Sequence, residues 1–167
     1  MRDDYTPGMR AEAIRVRDAN AADVPALLGL VHAAFEQYRG RLDPPSGAHG
    51  ETQASVRAAL AAGGAVLASA DDTPVGCVFY HRNGERVDLG RLSVLPALRR
   101  YGIGRRLTGE VEHRARALGA QRVELGVRIA LPWLRAYYER CGYRVVREET
   151  HAGYSAPTYV VMAKDLR

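Results

Sequence analysis

LSVLPALRRYGIGRR, residues Leu92–Arg106, decides how this chain is read. It opens as an apolar run, is cut at Pro96, and ends with Gly102 and Gly104 set among Arg99, Arg100, Arg105 and Arg106. Proline has no N–H to give a central ladder, so a strand must end about there. The two glycines admit backbone conformations closed to other residues. Beyond them Ile103, Leu107, Val111, Ala115 and Leu118 recur at helical spacing, and Gly119 closes the run. A helix that opens here leaves its first N–H groups without intrahelical partners. Their partial positive charge, ringed by arginine, makes an anion site suited to phosphate.

The spacing excludes two phosphate folds. A P-loop needs Gly-Lys-Ser/Thr after its second glycine, and Gly104 is followed by Arg105-Arg106. A dinucleotide fingerprint needs a third glycine three residues after the second, and Leu107 stands there.

Outward from this stretch the chain alternates strands and helices. Ala13–Arg17 reads as a strand, and Asn20 with Asp23 reads as a capping box. Val24, Leu27, Leu28, Val31, Phe35 and Tyr38 follow at helical spacing. Arg39–Gly50 is a loop by its proline, glycine and serine content. A short helix is expected over Thr52–Ala62, then strands over Ala65–Ala70, Pro74–His81 and Arg86–Val94. After the helix opened near Gly102 come a strand at Arg122–Ile129 and a helix from Pro132 to Arg140. An antiparallel pair closes the chain. The order β-α-α-β-β-β-α-β-α-β-β predicts an α/β (α+β) layer fold, a mixed sheet with helices on its faces.

The 167 residues suit one domain, residues 11–167, behind a loose segment at 1–10. With 47% hydrophobic and 26% charged residues the composition is that of a globular protein. No apolar run approaches the roughly 20 residues of a membrane span. Cys77 and Cys141 are too few for a disulfide framework or a cysteine zinc site. No metal is expected, and a reducing, cytoplasmic setting fits. The net charge of +5, carried almost wholly by arginine, favours an anionic partner.

The whole pattern, Leu92-x-Val94-x-Pro96 and then Arg99-x-x-Gly102-x-Gly104, resembles the acetyl-CoA motif of the GNAT acetyltransferase superfamily. The order of elements resembles that family along nearly the whole chain. The resemblance implies a mostly antiparallel sheet with one splayed strand pair. It implies that the amides of Arg100, Tyr101, Gly102, Ile103, Gly104 and Arg105 hold the pyrophosphate of acetyl-CoA, with Arg99 beside them. It also implies that the backbone of Leu92, Ser93 and Val94 pairs with the pantetheine arm, a local form of strand addition. In Trp133–Val146 the family's Tyr-x-x-x-Gly-Phe/Tyr is matched by Tyr138, Gly142 and Tyr143. Tyr138 is then the acid that protonates the departing thiolate. The family's asparagine ahead of this helix is replaced by Leu131 and Leu134.

A base is read from strand parity. Asp88, Leu92 and Val94 fall on one face of a regular strand, which makes Asp88 the candidate and Glu85, at the hairpin, the second choice. The acceptor side is expected from Arg39–Gly50, Tyr80-His81 and His151–Tyr159. Its charges are mixed and choose no substrate. The expected activity is transfer of an acetyl group from acetyl-CoA to a primary amine, on a small molecule or a peptide, by direct attack in a ternary complex. The alternative is a non-catalytic CoA-binding or regulatory module. A nucleic-acid partner is disfavoured, because Arg99–Arg106 lacks interleaved aromatics and any DNA or RNA motif. A homodimer is left open.

Overall fold

The computed structural model describes residues 13–167. The loose segment expected at 1–10 lies outside the described residues. β1 (Ile14–Asp18) leads to a capping box in which Asn20 Oδ1 accepts from the Ala22 N–H (2.9 Å) and Asp23 Oδ2 from the Asn20 N–H (2.8 Å). Two helices follow, α1 (Val24–Phe35) and α2 (Gln53–Ala62). The Thr52 hydroxyl caps α2 by accepting from the Ser55 N–H. Then come β2 (Gly64–Ala70), β3 (Thr73–Asn83) and β4 (Arg86–Val94). The chain continues through α3 (Ile103–Ala117), β5 (Arg122–Arg128) and α4 (Pro132–Arg140), and ends in β6 (Arg144–Glu149) and β7 (Tyr159–Asp165).

The seven strands form one sheet in the order β1-β2-β3-β4-β5-β7-β6. Every neighbouring pair is antiparallel except β4 and β5. That parallel ladder has three residue pairs, Arg86↔Arg122, Val87↔Val123 and Asp88↔Glu124. Beyond them the strands part, while β5 stays paired to β7 over its full length.

Two cores cover the sheet. On one face Ile103, Leu107, Val111 and Ala115 of α3, with Tyr138 of α4, bury against Val66, Val78, Val87, Val123 and Met162. On the other, Val24, Leu27 and Val31 of α1 and Val56 of α2 bury against Leu67, Cys77 and Phe79. Each such aliphatic side chain contributes about 1.5–3 kcal/mol through its burial.

One register shift changes the faces of β4. Phe79 pairs with Gly90 and Cys77 with Ser93, so β4 spends three steps where β3 spends two. Arg91 takes up the extra residue with φ +51°, a β-bulge. Before the bulge Val87 and Leu89 face α3; after it Leu92 and Val94 do. Asp88 therefore does not share a face with Leu92 and Val94, because the inserted residue inverts the alternation.

Candidate functional site

Where β4 and β5 part, a cleft of about 1020 Å³ opens between them. Leu92 and Val94 line one wall, Leu125, Gly126 and Arg128 the other. The Leu95 N–H bonds the Val75 carbonyl at 3.0 Å. Strand alternation then turns the N–H and C=O groups of Val94 and Leu92 the opposite way, toward the diverged β5. These backbone groups face the cleft with no ladder to satisfy them.

The cleft runs on to the start of α3. Arg100 (φ +73°) and Gly102 (φ +77°) both lie in the left-handed region. Gly102 is the N-cap and no side chain caps the helix. The Arg106 N–H makes the helical bond back to the Gly102 carbonyl (3.0 Å). The N–H groups of Ile103, Gly104 and Arg105 precede it and have no helical acceptor. Such a turn is a concave nest of amides that receives anions. Arg99, Arg100, Arg105 and Arg140 also line the cleft. None of the four has a carboxylate at ion-pair distance among the described residues. Arg106 points away, with Nη1 donating to the Ile14 carbonyl.

α4 brings two tyrosines to the same cleft. The Tyr138 ring is 5% exposed, packed edge-on between Tyr137 and Tyr143. Burial, reinforced by the neighbouring Tyr137, Cys141 and Tyr38, raises its hydroxyl above the ordinary phenol range, so it is firmly protonated at neutral pH. Tyr143 leans on α3, its hydroxyl donating to Glu112 Oε1 (3.2 Å) while Lys164 Nζ holds Glu112 Oε2 (2.9 Å). The Tyr137 hydroxyl is buried and has no hydrogen-bond partner among the described residues. Burial first, then Cys141, pushes it up to about 12.

The sequence-derived residues divide. Leu92, Val94, Arg99, Arg100, Gly102, Ile103, Gly104, Arg105 and Tyr138 all line the cleft. Ser93 does not: it is fully buried, its Oγ donating to the Arg91 carbonyl (2.9 Å). Tyr101 is exposed and outside the lining. Asp88 is also outside it, held by Arg86 Nε (2.8 Å), Asn83 Nδ2 (3.0 Å) and His81 Nε2 (3.3 Å). Glu85 sits at the β3–β4 hairpin, outside the lining as well. The shared-face argument for a carboxylate base is overturned by the bulge.

Residues that spacing did not bring forward line the cleft toward the α1–α2 face. Arg91 stands on the bulge, its Nε on Glu51 Oε1 (2.9 Å) and its guanidinium over the Phe35 ring. Arg128 ends β5 and donates from Nη1 to His151 Nε2 (2.9 Å) and from Nη2 to the Pro44 carbonyl. Tyr38 and Trp133 stack at 6.3 Å between centroids, joining the turn after α1 to the first turn of α4. Only tertiary structure assembles this group.

Three comparisons bear on this arrangement. The model of the acetyltransferase (GNAT) family matches residues 30–143. No curated protein matches the chain. Among solved structures, a GNAT-family acetyltransferase of Desulfovibrio desulfuricans is similar at TM-score 0.77 and 20% identity, covering 93% of this chain and 100% of that one. The ribosomal-protein-S18-alanine N-acetyltransferase of Escherichia coli is similar at TM-score 0.75 and 15% identity, covering 92% and 94%. PaiA N-acetyltransferase of Thermoplasma acidophilum, in complex with coenzyme A, is similar at TM-score 0.74 and 19% identity, covering 91% and 98%. With a mixed sheet split between β4 and β5, an amide nest opening α3 and a family match over two-thirds of its length, the chain belongs to the GNAT acetyltransferase family.

Proposed function

We propose that the protein is an N-acetyltransferase that moves the acetyl group of acetyl-CoA directly to a primary amine. The observation that carries this reading is the parting of β4 from β5 beside the amide nest at Gly102–Arg105. The residues present fit coenzyme A: three helix amides without helical acceptors, four arginines without carboxylate partners among the described residues, and the Tyr137 hydroxyl, likewise without a partner among them, over the same cleft. Bound there, acetyl-CoA supplies an activated acyl group and a thiolate leaving group.

Arg99, Arg100, Arg105 and the α3 amides hold the phosphates. Leu92, through its N–H and C=O, and Val94, through its C=O, offer backbone groups to the pantetheine amides. The Val94 N–H faces the place where the carbonyl oxygen gathers charge and stabilises it there. Tyr138, on the α4 wall of the cleft, donates its proton to the leaving sulfur. The amine attacks without a covalent enzyme intermediate. Cys77 is fully buried, with its thiol pushed up to about 12 by burial, and neither cysteine lines the cleft. Among the described residues no carboxylate lines the cleft, and water takes the proton of the amine.

The test pairs binding with turnover. Acetyl-CoA at one hundred times its Kd stabilises the folded state by about 2.7 kcal/mol, which raises Tm by roughly 5–10 °C in a chain of this size. Free thiol should be released from acetyl-CoA in the presence of an amine. A Tm that does not move with millimolar acetyl-CoA or other acyl-CoAs overturns the proposal.

A further inference from the structure

The walls of the cleft carry arginine on both faces of the sheet, but the two sets do different work. Arg99, Arg100 and Arg105 gather at the mouth of α3. Arg128 belongs to the other face. Along β5, Val123, Leu125 and Val127 bury in the core under α3. By alternation Glu124, Gly126 and Arg128 point to the opposite face. Two loops on that face tether Arg128, one through the Pro44 carbonyl and one through His151.

Both partners of Arg128 are uncharged. A carbonyl is neutral, and His151 accepts at Nε2 only as a neutral imidazole. Burial and the charge of Arg128 hold the His151 pKa below its ordinary value, which keeps that form. The carboxylates nearby are committed elsewhere. Glu51 pairs with Arg91, and Asp43 accepts from the Tyr154 hydroxyl. Arg128 has no carboxylate at ion-pair distance among the described residues. Two of its five N–H donors are used, which leaves three of the planar fork to bind. Asp43 acts on Arg128 through space but lies beyond ion-pair distance, so a bound anion would give this partly buried cation the direct counter-charge it lacks.

The rest of this face agrees. Gly126 gives the floor no side chain, and a Cβ there would touch the Tyr159 ring at 3.4 Å. Tyr159, paired with Arg128 across the β5–β7 ladder, lines the same space. Among the described residues no Asp or Glu lines the cleft, so a polyamine or lysine-rich acceptor would find no charge there to balance its own.

Resting on the acetyl-transfer reading, we infer that the acceptor is a primary amine that also carries an oxyanion, a carboxylate or a phosphate, and that Arg128 is the residue that holds it. The guanidinium fork fits either group through paired N–H···O bonds. Held at the end of β5, the anion leaves the amine free to reach the seam between the strands, where Tyr138 lies.

The experiment compares matched acceptors with acetyl-CoA saturating: α-amino acids against their amides, O-phosphoethanolamine against ethanolamine, and spermidine as a polycation. The expected result is a kcat/KM advantage of roughly ten- to a hundredfold for the charged member of one pair, as a charge-assisted contact provides. The pair that shows it separates carboxylate from phosphate. In Arg128→Met that ratio should collapse to within about twofold, through KM rather than kcat. The Tm of Arg128→Met checks that its two loops remain docked, and the ratio in the unaltered protein needs no variant at all. Amides, ethanolamine or spermidine matching or outpacing their anionic counterparts overturns the inference. So does an anionic panel without turnover, or a ratio unmoved in Arg128→Met. The rise in Tm with acetyl-CoA is independent of the acceptor, so failure of the transfer reading shows separately.

Discussion

Gly104 lies directly beneath Tyr137: a Cβ on the glycine would stand 3.0 Å from the tyrosine hydroxyl. A Cβ on Gly102 would meet nothing within 4 Å, but the residue holds φ +77°. Alanine at the two positions therefore acts by different physics. Gly104→Ala shifts Tyr137 by a few tenths of an ångström and should cost modest acetyl-CoA affinity at nearly unchanged Tm. Gly102→Ala forces an L-residue into the left-handed region, which costs about 1–2 kcal/mol and roughly 2–8 °C of Tm. It also disturbs the amide nest, so its Kd for acetyl-CoA should rise more. Titration calorimetry and melting curves on both variants check the order. Equal, negligible changes in Kd would mean that the amides do not cradle the phosphates.

Tyr138→Phe keeps the ring between Tyr137 and Tyr143 and removes only the hydroxyl. If that hydroxyl protonates the thiolate, kcat should fall by roughly ten- to a thousandfold, near the usual range for a general acid. Acetyl-CoA affinity should hold, because the proton is needed only as charge develops in the transition state. Tm should also hold, since no hydrogen bond to the Tyr138 hydroxyl is present among the described residues. Turnover within about twofold of the parent, too little for a lost acid, removes Tyr138 from the chemistry.

Direct transfer makes a claim about the thiols. Cys77 is fully buried, and burial keeps its thiol up at about 12 despite a hydrogen bond with Ser93. Cys141 is partly exposed at the end of α4. Iodoacetamide on the native protein should modify Cys141 and spare Cys77, because the thiolate is the reacting form. Cys77→Ser should retain turnover. A Cys77→Ser variant that folds but accumulates no product, or an acetylated Cys77 in the native protein, would point to a two-step route instead.

Acid stability should turn on Glu124. Burial raises this carboxyl, but hydrogen bonds from Arg122 and Arg147 and the charges of Arg147 and Arg86 outweigh it, leaving the pKa below the ordinary value. A depressed carboxylate contributes stability above its unfolded pKa, and the contribution is lost as pH falls through the folded one. The Tm of the parent should therefore decline more steeply below about pH 4.5 than that of Glu124→Gln, which starts lower at neutral pH. Parallel Tm–pH curves would show that the three arginines do not stabilise the charge.

The order of elements was legible because each carries a local signal: Asn20 with Asp23 at a helix start, Pro96 at a strand end, Gly102 at a turn of positive φ. One wall of the cleft was legible for the same reason, since most of its residues, Ser93 and Tyr101 excepted, come from the contiguous run Leu92 to Arg105. The base was misread because strand parity assumes an unbroken pleat. Nothing at Arg91 announces φ +51°, and one inserted residue carried Asp88 to the wrong side. Two of the three segments expected on the acceptor side, Arg39–Gly50 and His151–Tyr159, do line the cleft, whereas Tyr80 and His81 do not and Arg128 was not foreseen. Arg128, Pro44 and His151 are far apart in the chain, and only the packing of two loops on the sheet makes them neighbours.

The three-pair ladder between β4 and β5 also has a mechanical meaning. The sheet is two rafts, β1-β2-β3-β4 and β5-β7-β6, laid side by side and fastened at one end. What keeps them level is α3, whose underside rests on β3, β4 and β5 and bridges the gap. The fastened end closes the cleft at its inner limit, by packing within the chain itself. At the unfastened end no ladder joins β4 to β5, and the gap between the rafts is the cleft. The same pair of strands thus gives the molecule a closed seam at one end and an open one at the other.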